Sequence, residues 1–208
     1  MLTRRTLMLA LPMGLMVLGG PAAIAAAPSQ DEAQKLVKQL SEDAIKLLTQ
    51  KDLPAEERSK RFRALLVKGF DVPEMARFTL GRYWRDLADD QRKQYLQLFE
   101  DFVVATYAQR FANYQGETLQ VQGAQPESDD VLVRSQFMRV NPPQPVKVDW
   151  RVSQSDQGPR IVDVIVENVS LTTTQRSDFA AVIQRNGGKI EGLLDTLKAK
   201  TKDLNSNA

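Results

Sequence analysis

The sequence contains neither cysteine nor histidine. A chain without cysteine folds without the support of disulfide bonds. A chain without histidine cannot carry a Ser-His-Asp or Cys-His catalytic group, a histidine zinc site or a histidine-ligated haem. The two absences therefore exclude much of the common hydrolase and metal chemistry before any motif is considered.

Motifs for nucleotide binding, calcium binding and carboxylate catalysis are also missing. There is no G-x-G-x-x-G or Walker phosphate loop and no calcium-loop spacing. The pairs Asp89-Asp90 and Asp129-Asp130 are adjacent in sequence, so their side chains point apart and fit turn or cap positions. Ser170 is a candidate nucleophile, but no nucleophile-elbow motif surrounds it, and its position is typical of a helix cap or a strand end. We therefore predict no catalytic residue, no metal, no cofactor and no enzymatic activity.

The first residues carry the features of an export signal in their usual order: positive charge, an apolar run and small residues. Arg4 and Arg5 precede an apolar run over residues 7–18, and helix breakers and small residues follow. The run is too short for a comfortable membrane span, which favours a cleaved signal over a retained anchor. We predict a signal over residues 1–25 and a single domain over residues 26–208. The arginine pair fits either the twin-arginine or the general secretory route.

The charge balance gives no argument for a nucleic-acid partner. The full chain has 28 basic and 26 acidic residues. Loss of the signal removes two arginines and no acid, so both signs then number 26. A nearly neutral chain has no global positive field to attract nucleic acid.

The first half of the chain has helical periodicity. Leu36, Leu40, Ala44 and Leu47 recur at steps of three and four, which predicts a helix over 31–51. Further helices are predicted after Pro54, from a cap at Asp71 to Gly81, and over 90–115.

The second half alternates with the period of β-strands. In VKVDWRV, Val146, Val148, Trp150 and Val152 fall on one face and charged residues on the other. ETLQVQG, VLVRSQFMRV and RIVDVIVENVS are also strand-like, with turns at NPPQP and SDQGP. Two helices follow, over 173–185 and around Leu194. The order predicts an α+β fold, with N-terminal and C-terminal helices on a twisted antiparallel sheet of about four strands.

Aromatic residues are concentrated in the helical half. Of the 14 aromatic residues, 11 fall between Phe62 and Tyr114, whereas the strands use mainly valine and isoleucine. An aromatic helical layer thus faces an aliphatic sheet. Periodicity shows which side chains face inward, but such rings can either fill a packed core or wall a cavity.

Two stretches of the chain carry a family resemblance. The helical half contains FDVPEMARFTLGRYWRDLADDQRKQYLQLFEDFVVATYAQRFANYQG, and the second half contains VDWRV, NVSL and GLLDTLKAK. In order and spacing these segments resemble the MlaC, or toluene-tolerance, family of periplasmic lipid-carrying proteins. The resemblance covers nearly all of residues 26–208. Arg160 and Gln175 depart from it, since the family often has tryptophan and tyrosine at these positions.

The resemblance implies a soluble shuttle in the periplasm of a Gram-negative cell. It implies three partners: a phospholipid, the MCE-domain protein of an inner-membrane ABC transporter, and an outer-membrane lipoprotein–porin complex. It also implies a deep apolar cavity between helices and sheet that holds the acyl chains. Some members of the family are associated with hopanoids, so another lipid cargo is an alternative.

We predict from the helical spacing and the resemblance which residues line this cavity. The helices are expected to contribute Leu66, Phe70, Met75, Phe78, Trp84, Phe99, Phe102, Val103 and Tyr107. The sheet is expected to contribute Val148, Trp150, Val164 and Val166. Arg77, Arg82 and Arg85, near Gly81, are predicted to contact a headgroup or a partner. The alternative function is an exported adaptor domain with a packed core, and a small hydrolase is disfavoured by the missing histidine.

Overall fold

Helices precede and follow one antiparallel sheet along the chain. The computed structural model describes residues 27–50, 52–112, 114–140 and 144–206. The α-helices are α1 (Gln30–Leu48), α2 (Ala55–Gly69), α3 (Val72–Leu80), α4 (Asp89–Ala112), α5 (Leu171–Arg185) and α6 (Glu191–Ser206), with a 3₁₀ helix at Gly81–Asp86. The strands are β1 (Thr118–Glu127), β2 (Asp130–Met138), β3 (Pro145–Ser155), β4 (Gly158–Val166) and β5 (Val169–Ser170). The α+β fold is confirmed, whereas the predicted export signal lies outside the described residues.

Helix starts follow local capping chemistry. The Ser29 hydroxyl accepts the backbone N–H of Glu32, and the Glu32 carboxylate accepts the Ser29 N–H in return. This capping box begins α1 and satisfies backbone donors that the helix leaves unpaired. The Asp71 carboxylate accepts the N–H of Glu74 at 3.0 Å and begins α3, as the sequence predicted.

The sheet is an antiparallel meander in the order β1-β2-β3-β4-β5. Trp150 of β3 pairs with Val133 of β2 and Val164 of β4. The alternation predicted for β3 therefore places these apolar side chains on the face that meets the helices. The fifth strand, β5, has only two residues and leads directly into α5.

Two buried clusters form the core. One belongs to the helical layer and includes Tyr95, Phe99 and Phe179. The other joins α1 to the sheet through Val37, Val133, Val152 and Ile161, among others. Phe70 packs against both clusters, and the N–H of the next residue, Asp71, donates to the carbonyl of Ile161 at 2.9 Å. The α2–α3 junction therefore anchors the helical layer to the sheet.

Replacement of Gly81 by alanine is expected to lower the free energy of unfolding by about 2 kcal/mol. Gly81 has φ +58° and ψ −127°, a conformation that side-chain-bearing residues avoid. A Cβ there would lie 2.8 Å from Nε of Arg176, whose guanidinium stacks on the Phe78 ring at 5.2 Å. Chemical denaturation measures the change. Gly187→Ala is the control, because Gly187 has φ +69° but no atom within 4 Å of a Cβ; equal losses would contradict the role of the contact.

Candidate functional site: an apolar cavity between helices and sheet

A cavity of about 830 Å³ separates the helices from the sheet. Helices α1, α2 and α4 supply most of one wall, and β1 to β4 supply the other. Residues of α3 and α5 complete the lining. Most of the lining is apolar: Val37, Leu40, Ala44, Ile45, Leu48, Phe62, Leu65, Leu66, Phe70, Met75, Phe99, Phe102, Val103, Tyr107, Leu119, Phe137, Val148, Trp150, Val164 and Leu171 all contribute.

The helical wall follows from the period of the α-helix. On α1, Leu40, Ala44 and Leu48 recur every four residues and therefore share one face, which faces the cavity. On α4, Phe99 and Val103 have the same spacing. Residues at helical spacing on α1 and α4 thus share a face and line the cavity together.

An ion-pair cluster holds two of the wall helices together. Arg63 of α2 donates to the carboxylates of Glu100 and Asp101 on α4. The Arg63–Asp101 hydrogen bond measures 2.7 Å, and the arginine side chain is 35% exposed. A guanidinium that meets two carboxylates fixes the relative positions of the helices better than a single contact does.

Trp150 provides a flat part of the sheet wall. Its indole N–H donates to the hydroxyl of Ser135 at 2.9 Å, and that hydroxyl donates to the carbonyl of Val148 at 2.5 Å. The ring packs against Phe70, with centroids 6.4 Å apart. Because its only polar atom is satisfied within the sheet, the indole presents apolar surface to the cavity.

A buried hydroxyl network lies where α3 meets α4. The Tyr95 hydroxyl donates to the Ala76 carbonyl at 3.0 Å and lies 2.9 Å from Oγ1 of Thr79, a cavity-lining residue. Tyr95 is fully buried, and burial raises the pKa of its hydroxyl because the phenolate would be desolvated. Tyr95 therefore acts as a neutral hydrogen-bonding group that supports the end of the cavity.

Replacement of Tyr95 by phenylalanine is expected to lower the free energy of unfolding by about 1 kcal/mol, because one buried hydrogen bond is lost. A thermal melt should show a decrease in Tm of roughly 3 °C for a chain of this size. The matched control is Tyr83→Phe, since the Tyr83 hydroxyl bonds to the exposed Arg82. Equal decreases in Tm for the two variants would contradict the buried network.

The pH dependence of stability gives a second readout for Tyr95. The pKa of Tyr95 is raised in the folded state. The stability that its neutral hydroxyl contributes is therefore fully present below the pKa of an unfolded tyrosine, about 10, and is lost as pH rises above that value. The wild-type protein should therefore lose stability in alkaline solution, and Tyr95→Phe should lose less. Denaturation midpoints at pH 8 and above pH 10 measure the difference, and identical losses would contradict the assignment.

The structure brings ten of the thirteen predicted wall residues together around the cavity. These ten are Leu66, Phe70, Met75, Phe99, Phe102, Val103, Tyr107, Val148, Trp150 and Val164. Their position at an apolar cavity agrees with the prediction of a wall, and their contact with a lipid stays a prediction.

Phe78, Trp84 and Val166 do not lie among the cavity-lining residues, which corrects their assignment to the wall. Phe78 is 40% exposed on the outer face of α3, beneath the guanidinium of Arg176. Trp84 packs edge-on against Tyr95, and the Arg92 guanidinium lies over the Trp84 ring at 5.6 Å. Val166 has the predicted inward register opposite Val148, but it lies at the end of β4 beside β5, beyond the cavity.

The three predicted contact arginines lie on the surface near the 3₁₀ helix, and none of them lines the cavity. Arg77 forms a bidentate hydrogen bond with Glu74 of its own helix, which raises the pKa of the guanidinium. Arg82 lies over the Tyr83 ring at 5.0 Å, and Arg85 is exposed.

Several cavity residues were missed by the sequence reasoning. The α1 stripe was visible as a helical face, but it was not assigned to the wall. Polar lining residues were also missed. They form two groups along the chain: Thr79, Thr172 and Gln175 on α3 and α5, and Tyr114, Gln115, Glu117 and Arg139 at the ends of β1 and β2. No spacing rule could have found this second group, because strand register brings it together.

The residues considered for catalysis occupy structural positions. The Ser170 hydroxyl donates to Asp163 at 2.6 Å and accepts the N–H of Thr173 at 3.0 Å, so Ser170 caps α5. Asp89 lies in the first turn of α4, and Asp130 begins β2. Within the described ranges, no group of three or more acidic residues is placed to hold a metal ion. Over the same residues, no helix has the length and apolar character needed to cross a bilayer.

The fold and cavity define an α+β domain built around an apolar, ligand-sized chamber. The family model described as MlaC protein matches residues 38–199, and the chain belongs to the MlaC family. A curated relative, the intermembrane phospholipid transport system binding protein MlaC of Haemophilus influenzae, is 21% identical over 125 residues. The match covers 58% of this chain, which spans about half (56%) of that relative's length.

A solved structure is similar over a larger part of the chain. It is the phospholipid-binding protein from Ralstonia solanacearum in complex with a phospholipid. The TM-score is 0.70 at 28% sequence identity, over 83% of this chain and 98% of that chain. The two proteins therefore have the same fold over most of their length, and the solved structure contains a phospholipid.

Proposed function

We propose that the protein is a periplasmic carrier that binds a phospholipid by its acyl chains and moves it between the two membranes. The observation that carries the proposal is the apolar cavity of about 830 Å³ between helices and sheet. This volume lies in the upper part of the range typical of ligand sites. Membership of the MlaC family and the phospholipid-bound neighbour support the same function.

The composition of the wall suits an acyl chain. Transfer of each methylene from water to an apolar site stabilises the complex by about 0.8 kcal/mol. Two chains of ordinary length would therefore gain well over 10 kcal/mol, which is ample for capture. The part of the wall that would surround the acyl chains is mostly apolar, and the absence of strong polar contacts there suits a protein that must also release its cargo.

The compartment and the partners form part of the same proposal. The N-terminal order of charge, apolar run and small residues supports export to the periplasm as a domain over residues 26–208. Family membership supports an MCE-domain protein of an inner-membrane ABC transporter and an outer-membrane lipoprotein–porin complex as partners. Arg82 and Arg85, exposed beside the 3₁₀ helix, are our candidates for contact with a partner surface.

A vesicle transfer assay tests carriage directly. Donor vesicles with a fluorescent phospholipid are mixed with unlabelled acceptor vesicles, and transfer is followed with and without purified protein. A carrier accelerates transfer in proportion to its concentration. Transfer at the spontaneous rate, at every protein concentration, would contradict the proposed function.

A further inference from the structure

Two opposite charges lie at the strand end of the cavity. Among its lining residues, Arg139 is the cation and Glu117 the carboxylate. The pair Thr118 and Met138 ends the β1–β2 ladder, and Glu117 and Arg139 are the next residue on each strand. Because neighbouring strands lie about 5 Å apart, the two charged residues extend side by side from the sheet.

The two charged groups are not joined by an ion pair. In the part of the chain that the structure describes, no ion pair joins Arg139 to Glu117, and Arg139 forms no ion pair with any other residue. The Arg139 side chain is exposed at the end of a mostly apolar chamber. A guanidinium with open donors at such a position is suited to a phosphate oxygen.

Glu117 is held in place by its own turn. One carboxylate oxygen, Oε2, accepts the backbone N–H of Gln115 at 2.8 Å, and the Glu117 carbonyl accepts the hydroxyl of Tyr114 at 2.9 Å. These bonds leave Oε1 without a partner in the described residues. The turn therefore presents a fixed carboxylate with one open oxygen, which suits an ammonium group.

We propose that Arg139 and Glu117 form a headgroup subsite for zwitterionic phospholipids, with Arg139 on the phosphate and Glu117 on the ammonium. The inference rests on the proposed carrier function, because the acyl chains must fill the cavity for the headgroup to reach this end. An anionic lipid such as phosphatidylglycerol satisfies Arg139 but brings no cation to Glu117. The subsite therefore favours phosphatidylethanolamine over phosphatidylglycerol.

A competition experiment with defined vesicles tests the subsite. Delipidated full-length protein is incubated with equimolar phosphatidylethanolamine and phosphatidylglycerol of identical acyl chains, re-isolated, and its bound lipid is quantified by mass spectrometry. The wild-type protein should hold phosphatidylethanolamine in excess. Glu117→Gln should lower the ratio of the two lipids roughly fivefold, because it removes an attraction for one lipid and a repulsion for the other.

Variants of Arg139 test the proposed contact with the phosphate, which both lipids carry. Arg139→Gln should weaken the binding of both lipids by about threefold. Arg139→Lys should retain part of that affinity, because lysine keeps the positive charge. Arg134→Gln and Glu56→Gln are exposed controls away from the cavity and should match the wild-type protein.

The possible outcomes separate this inference from the carrier function. Lipid bound by all variants at an unchanged ratio and affinity overturns the headgroup subsite and leaves the carrier function standing. Absence of bound lipid from the wild-type protein overturns both. Circular dichroism melts of each variant identify any loss that comes from unfolding.

Discussion

Replacement of Ala44 by tryptophan is expected to reduce lipid affinity roughly a hundredfold. Ala44 lies on the cavity face of α1, so the indole would project into space that the acyl chains require. If it displaces about four methylene groups, at about 0.8 kcal/mol each, binding weakens by about 3 kcal/mol. The cavity is open, so the larger side chain should not cause the strain that overpacking produces in a filled core. Titration of delipidated protein with a fluorescent phospholipid measures the change.

Ala181→Trp is the matched control for this prediction. Ala181 is exposed on α5 and does not line the cavity, so the same change in bulk should leave lipid affinity near that of the wild-type protein. Retention of wild-type affinity by Ala44→Trp would mean that the acyl chains lie elsewhere. A thermal melt of each variant distinguishes loss of space from loss of fold.

Removal of bound lipid is expected to lower the melting temperature of the wild-type protein by roughly 8 °C. A ligand that binds only the folded state stabilises it by mass action, and a hundredfold excess over Kd contributes about 2.7 kcal/mol. For a chain of this size, that free energy corresponds to a shift of roughly 5–10 °C. Calorimetry before and after delipidation measures the shift, and re-addition of lipid should reverse it.

The same treatment of Ala44→Trp serves as the control for delipidation. Because that variant should carry little lipid after purification, extraction should change its melting temperature far less. Equal decreases in both proteins would show that the extraction itself, rather than loss of lipid from the cavity, causes the destabilisation.

Local patterns in the sequence predicted most of the architecture. The Asp71 cap, the helical spacing of Phe99 and Val103, and the alternation around Trp150 each depend on neighbouring residues alone. Such signals predict an element and the face that it buries. They do not predict how far apart two buried faces lie, and that separation creates the cavity.

The errors at the site have physical causes. Trp84 belongs to a 3₁₀ helix, whose three-residue period turns its side chain away from the direction that an α-helical period implies. Phe78 is stabilised on the surface by the Arg176 guanidinium, a partner nearly a hundred residues away in the chain. Arg139 and Glu117 come together only through the β1–β2 register. Contacts of this kind depend on tertiary structure, so no local pattern predicts them.

The amount of lipid that the native protein carries shows directly whether the cavity holds a phospholipid. The full chain is expressed with its own N-terminal segment, purified under native conditions without detergent, and extracted with organic solvent for quantitative mass spectrometry. We expect about one phospholipid per protein in the wild type, and far less in Ala44→Trp expressed in parallel. A wild-type protein that is folded and free of lipid would contradict the proposed carrier function.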